Sequence, residues 1–113
     1  MKRRGDLAEQ AAAEFLTGRG LALLARNYRC RFGEIDLIMS DGPTVVFVEV
    51  RYRRNNTFGG AIESITVRKR EKLLRAARHY MASRKGFADC RFDALLLSGD
   101  KEEIEWIENA FGE

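Results

Sequence analysis

The sequence predicts an α/β domain in which a mixed central sheet of about five strands is flanked by helices. Three observations carry this. Two segments repeat apolar residues at three- and four-residue steps, four short apolar runs and "EIEWI" read as strands, and their order is helix, three strands, helix, two strands.

The first helix is expected over residues 6–18. Leu7, Ala8, Ala11, Ala12, Phe15 and Leu16 form its apolar stripe, and Gly18 and Gly20 end it. Glu9 lies at the edge of that stripe, where it can reach towards whatever the helix packs on. Leu21 to Tyr28 is read as the first strand, Ile35 to Met39 as the second and Val45 to Arg51 as the third. β-branched residues dominate the third, and "SDGPT" before it is turn chemistry. Residues 52–63, "YRRNNTFGGAIE", read as a loop.

Residues 66–84 give the clearest helix, with Leu73, Leu74, Ala77, Tyr80 and Met81 as its apolar stripe. Arg68, Lys72, Arg75 and His79 form a second, basic stripe. Residues 90–98, "CRFDALLLS", make a fourth strand, and residues 103–107 a fifth.

A chain of 113 residues suits a single domain, 1–113, large enough to fold around its own core. Cys30 and Cys90 lie far apart and, with the single His79, cannot make a four-ligand zinc site; two reduced thiols are expected. No apolar run approaches membrane-spanning length, so no membrane association is expected. The opening "MKRRGDLAEQAAAEF" lacks the unbroken apolar centre of a signal peptide, which makes a cytoplasmic location the default expectation.

Charge is uneven along the chain. Residues 1–91 carry 19 Lys+Arg against 10 Asp+Glu, or +9, and residues 92–113 carry 1 against 7, or −6. A basic body is compatible with a polyanionic partner and equally with a solvated basic face. Tyr28, Phe32, Trp106 and Phe111 read as core or interface aromatics, and Glu102, Glu103, Glu105 and Glu108 as a solvated acidic strand edge.

The hairpin "GEIDLIMSDGPTVVFVEVRYR" is unusual for its acids. Alternation puts Glu34, Asp36 and Ile38 on one face of the second strand, and Val45, Phe47, Glu49 and Arg51 on one face of the third. A loop over residues 41–44 sets Ile38 opposite Phe47 and Asp36 opposite Glu49. Two carboxylates about 5 Å apart repel by roughly 3 kcal/mol at an effective dielectric near 20. Glu9 adds to that cost and Arg51 offsets one charge. The acids must therefore be protonated, splayed into water, paired with arginines or bound to cations, and oxygen ligands of this type suit Mg²⁺ or Mn²⁺.

The segments "GDLAEQAAAEFL", "ARNYRCRFGEIDLI", "VVFVEVRYR" and "RFDALLL" resemble the YraN-type family of small bacterial proteins, over nearly the whole chain. That family in turn resembles the restriction-endonuclease-like fold, especially archaeal Holliday-junction resolvases. The resemblance implies a metal-dependent DNA endonuclease acting on branched or damaged DNA. It places the helix acid at Glu9, the strand Asp at Asp36, the Glu of a Glu-x-Lys triplet at Glu49, and the Lys position at Arg51. By the same resemblance Asp36, Glu49 and the Val50 carbonyl hold the metal, with Glu34 as a reserve ligand.

Arg51 departs from the pattern: a guanidinium keeps its charge at working pH and cannot serve as a base. A non-catalytic nucleic-acid-binding module with a nuclease-like fold is therefore carried as the alternative, and an interaction domain with arginine-paired acids as a third reading. Arg53 and Arg54 near the site, and Arg68, Lys72 and Arg75 on the second helix, are the candidate nucleic-acid contacts. His79 receives no catalytic role. A homodimer would suit symmetric cutting of two strands.

Overall fold

A computed structural model describes residues 4–53, 65–84, 89–98 and 103–111, with side chains from Leu7 and, on the third strand, as far as Tyr52. The elements are α1 (Arg4–Gly18), β1 (Ala22–Cys30), β2 (Gly33–Asp41), β3 (Thr44–Arg53), α2 (Val67–Ala82), β4 (Asp89–Ser98) and β5 (Glu103–Phe111). The five strands form one sheet in the order β1-β2-β3-β4-β5. β3 and β4 run parallel, and the other three pairs are antiparallel. The predicted α/β architecture, a mixed five-stranded sheet flanked by helices, is what the chain forms.

Both faces of the sheet are covered, and β3 records this most plainly. Val45, Val46, Phe47 and Val48 are all buried. Val45 and Phe47 join the core under α2, while Val46 and Val48 join the core under α1. A central strand covered on both sides has no solvent face, which is why its sequence is an unbroken apolar run. Phe47 stacks on Phe92 with ring centroids 5.3 Å apart, and Phe92 stacks on Phe111 at 5.1 Å. Tyr80 of α2 meets Phe47 edge-on at 5.9 Å and Tyr28 of β1 at 5.2 Å.

The helices are held at their ends by local chemistry. α1 stops where the Leu21 N–H bonds the Leu16 carbonyl and the Gly20 N–H bonds the Thr17 carbonyl, at 3.1 Å each. This paired closure needs a left-handed residue, supplied by Gly20 at φ 96°. Leu21, read from sequence as the start of β1, instead packs its buried side chain into the α1 core. α2 starts at Thr66, whose hydroxyl accepts the Lys69 N–H at 3.1 Å. Leu73, Ala76, Ala77 and Tyr80 are its buried residues, whereas Leu74 and Met81 sit at the rim of the core.

Several strands run longer than expected. β3 continues through Tyr52 to Arg53, so the expected loop begins later, and residues 54–63 of it lie outside the described residues. β5 extends past Ile107 to Phe111 through an irregularity opposite Asp93. There Asn109 adopts φ 52° and donates its N–H to Asp93 at 3.0 Å. Asp93 is fully buried and also accepts from Trp106 Nε1 at 2.9 Å and from Arg91 Nε at 3.2 Å. Arg91 reaches on to Asp41 at 3.0 Å and Glu108 at 3.5 Å. One buried carboxylate thus ties the β5 irregularity to β4, its charge balanced by Arg91.

Other residues singled out in the sequence have these places in the fold. Cys30 and Cys90 are free and half-buried. Phe15 of α1 meets Trp106 edge-on at 6.3 Å, and Trp106 packs half-buried against the α1-side core with a hydrogen-bonded ring nitrogen. His79 is exposed, and its Nδ1 lies 2.6 Å from the Tyr28 hydroxyl. Glu103, Glu105 and Glu108 are exposed on edge strand β5, and Glu102 lies outside the described residues. No helix among the described residues is long and apolar enough to cross a membrane.

Candidate functional site

The β2–β3 ladder pairs Asp41 with Thr44, Ile38 with Phe47 and Leu37 with Val48, and ends there. The Ile38–Phe47 register is the predicted one. The predicted Asp36–Glu49 backbone pair does not form. Instead the Asp36 carboxylate accepts the Val50 N–H at 2.9 Å through Oδ2. A side chain satisfies the amide where the ladder stops, so the two strands part without leaving Val50 unpaired.

The parted strands and the first turns of α2 enclose a cleft of about 320 Å³. Asp36 and Glu49 line it from the strands, Arg68, Lys69 and Lys72 line it from α2, and Gly33 is also part of the lining. Gly33 has φ 148°, and a Cβ there would stand 3.5 Å from the Lys72 Cβ. The position combines a backbone shape unfavourable to other residues with contact to the basic wall.

Glu49 is 4% exposed, and Lys69 and Arg51 both face its Oε1. Lys69 Nζ stands 2.7 Å away, and Arg51 Nε stands 3.7 Å away, an ion pair beyond hydrogen-bond length. Asp36 is pushed up to about 7. Burial is the main cause, followed by the Glu49 charge; the Val50 N–H opposes, Glu9 adds a further rise, and Lys69 opposes. Glu9 therefore lies close enough for its charge to be felt at Asp36, as its place on the α1 stripe suggested.

Among the described residues, no three Asp, Glu, His or Cys side chains stand close enough together to hold a metal ion as a group. The acidic pair, not a ring of acids, is the unit the fold assembles. Glu34, read as a reserve ligand, lines the same cleft but is ion-paired to Arg29 at 3.2 Å, with its side chain 62% exposed. Arg68 and Lys72 line the cleft, and Arg75 continues the same exposed face of α2. The Arg53 side chain and all of Arg54 lie outside the described residues.

Lys69 is the site residue that the pattern reading missed. It falls beside the Arg68–Lys72–Arg75–His79 stripe rather than on it. The signal was its spacing: four residues before Leu73 and seven before Ala76, Lys69 belongs to the inward face of α2. A lysine on an otherwise apolar helix face has to meet a buried acid or reach open space, and here it does both.

A mixed five-stranded sheet between two helices, with a half-buried Asp and a buried Glu on adjacent strands beside a basic helix wall, is an α/β domain of the restriction-endonuclease-like type. The sequence signature of the uncharacterised protein family UPF0102 matches residues 8–97, and the chain belongs to that family, the YraN-type family its motifs resemble. It is 60% identical over 111 residues to a UPF0102 protein of Nitrosomonas europaea, covering 97% of this chain and 94% of the relative. A UPF0102 protein of Nitrosospira multiformis is 58% identical, with 98% and 94% covered. One from Pseudomonas fluorescens is 48% identical, with 95% and 91% covered.

Proposed function

We propose that the protein is a metal-dependent DNA endonuclease that hydrolyses phosphodiester bonds in branched or damaged duplex. The observation that carries this reading is the Asp36–Glu49 pair, a half-buried and a buried acid that line one cleft where β2 and β3 part and are faced by cations from α2. Burial first and the neighbouring Glu49 charge second raise Asp36, and a bound cation would offset both.

The donor set suits Mg²⁺ or Mn²⁺, which take one or two carboxylates and complete their shell with water and substrate oxygens. Asp36, Glu49 and the Val50 carbonyl would hold the ion, with Glu34 as a further oxygen at the mouth. Bound there, the metal supplies Lewis-acid stabilisation of the charge on the phosphoryl group. In this reading Glu9 holds a water on the α1 side, and Arg51 steadies phosphate charge without exchanging a proton. Arg68, Lys72 and Arg75 position the nucleic-acid backbone along α2, and Arg53 and Arg54 extend that contact beyond β3.

The alternative, a nucleic-acid-binding module without turnover, draws on Arg51 at the Lys position. One experiment separates the two: labelled duplex, flap and four-way-junction DNA incubated with Mg²⁺ or Mn²⁺, with Asp36→Asn beside the native protein. Metal-dependent cutting that vanishes in Asp36→Asn is the expected result. A junction that is bound and never cut would leave the binding module.

A further inference from the structure

We propose that Lys69, on the first turn of α2, is the cation that contacts the scissile phosphate, a role the strand pattern would give to position 51. This assignment rests on the nuclease reading and adds a residue outside the family's strand motif.

The geometry of the two cations differs in three ways. Lys69 Nζ is 2.7 Å from Glu49 Oε1, whereas Arg51 Nε is 3.7 Å from the same oxygen. An ammonium has three donors, so one bond to Glu49 leaves two for a phosphate oxygen or a water. A guanidinium has more donors but holds them in one fixed plane, so Arg51 meets phosphate only where that plane does, whereas the ammonium can turn its free donors toward an entering oxygen.

The backbone under Lys69 is also fixed. Its N–H is bonded to the Thr66 cap at 3.1 Å, and Leu73, one turn on, is 3% exposed in the core. The side chain is 41% exposed and lines the cleft, so its head is tethered at the acids while remaining open to a ligand. Arg68 and Lys72 flank it on the same wall, and a phosphodiester chain running along α2 would therefore meet Lys69 at the acids. The role assigned to Lys69 is electrostatic. Its part is to bind and orient phosphate, in the manner of a preorganised charge aimed at developing negative oxygen.

The test compares native protein, Lys69→Met, Lys69→Arg and a charge-matched control, Arg26→Met on edge strand β1. Each is assayed for cleavage of the DNA panel and for Mn²⁺ binding by calorimetry. Loss of a single such charge is expected to slow cleavage by about 100-fold or more in Lys69→Met. Mn²⁺ binding should stay as tight as native or tighten, because a neighbouring positive charge has gone. Lys69→Arg should recover part of the rate, and Arg26→Met should cleave like the native protein.

Cleavage by Lys69→Met within about threefold of native would overturn the assignment and leave the nuclease reading in place. So would a parallel loss of Mn²⁺ binding, which would make Lys69 a strut for Glu49. A native protein that cuts none of the substrates would overturn the nuclease reading, and Lys69's role with it.

Discussion

Replacing Asp36 by Asn should make the fold more stable, and increasingly so as the pH rises. An aspartate in an unfolded chain titrates near 3.9, and Asp36 is raised to about 7 in the folded protein. Folding then favours the protonated acid. The cost of holding it appears as pH climbs past the unfolded value, grows up to about pH 7, and is constant above that. Three units at 1.36 kcal/mol each set the full cost at about 4 kcal/mol by pH 8, against about 1.5 kcal/mol at pH 5.

Asparagine removes the charge yet keeps an oxygen to accept the Val50 N–H, so the strand link should survive. The stability gap between Asp36→Asn and the native protein should therefore widen by about 2–3 kcal/mol from pH 5 to pH 8, a shift of about 1–2 M in urea midpoint for a domain of this size. The assay is urea unfolding with EDTA present, followed by tryptophan fluorescence from Trp106. A gap that does not change with pH, or that narrows as pH rises, would refute the reasoning: Asp36 would then be ionised in the fold at little cost.

Three further expectations follow from the same geometry. Mg²⁺ at 100 times its dissociation constant should stabilise the native protein at pH 8 by about 2.7 kcal/mol and leave Asp36→Asn nearly unmoved in thermal melts. Replacing Arg68, Lys72 and Arg75 together by alanine should lower the slope of log DNA affinity against log salt by roughly 2–3, and an unchanged slope would remove α2 from the contact surface. Asp93→Ala breaks a fully buried network and leaves Arg91 short of its main partner, so it should cost about 3–5 kcal/mol in urea unfolding; a loss below about 1 kcal/mol would show the network to be dispensable.

The parts of the fold that follow from periodicity were legible in the chain. The largely β-branched run Val45–Val48 announces a strand, and the two-residue turn Gly42–Pro43 between Asp41 and Thr44 sets Ile38 opposite Phe47. The stripes of α1 and α2 name most of the core. What periodicity could not show was where a side chain replaces a backbone partner. Asp36 takes the Val50 N–H and ends the ladder one pair earlier than strand alternation implies. Asp93 reads as one polar residue in "RFDALLL", yet its carboxylate organises the β5 irregularity that carries the strand on to Phe111. Lys69 was hidden because it lies beside the basic stripe, at the edge of the inward face where Leu73 and Ala76 follow it. In each case the informative residue is a charge at an apolar position, which a pattern of averages treats as noise.

The bond from Val50 to Asp36 has a consequence for inheritance. The same carboxylate that would serve a metal also finishes the hydrogen bonding of the central hairpin. Descendants that gave up turnover would still be held to an acid or amide at this position by the demands of folding alone. Its presence in a relative is thus poor testimony to activity. Lys69 makes no such contribution to the hairpin backbone; its side chain serves the buried Glu49 and the cleft, so folding constrains it through a charge pair and not through a strand hydrogen bond.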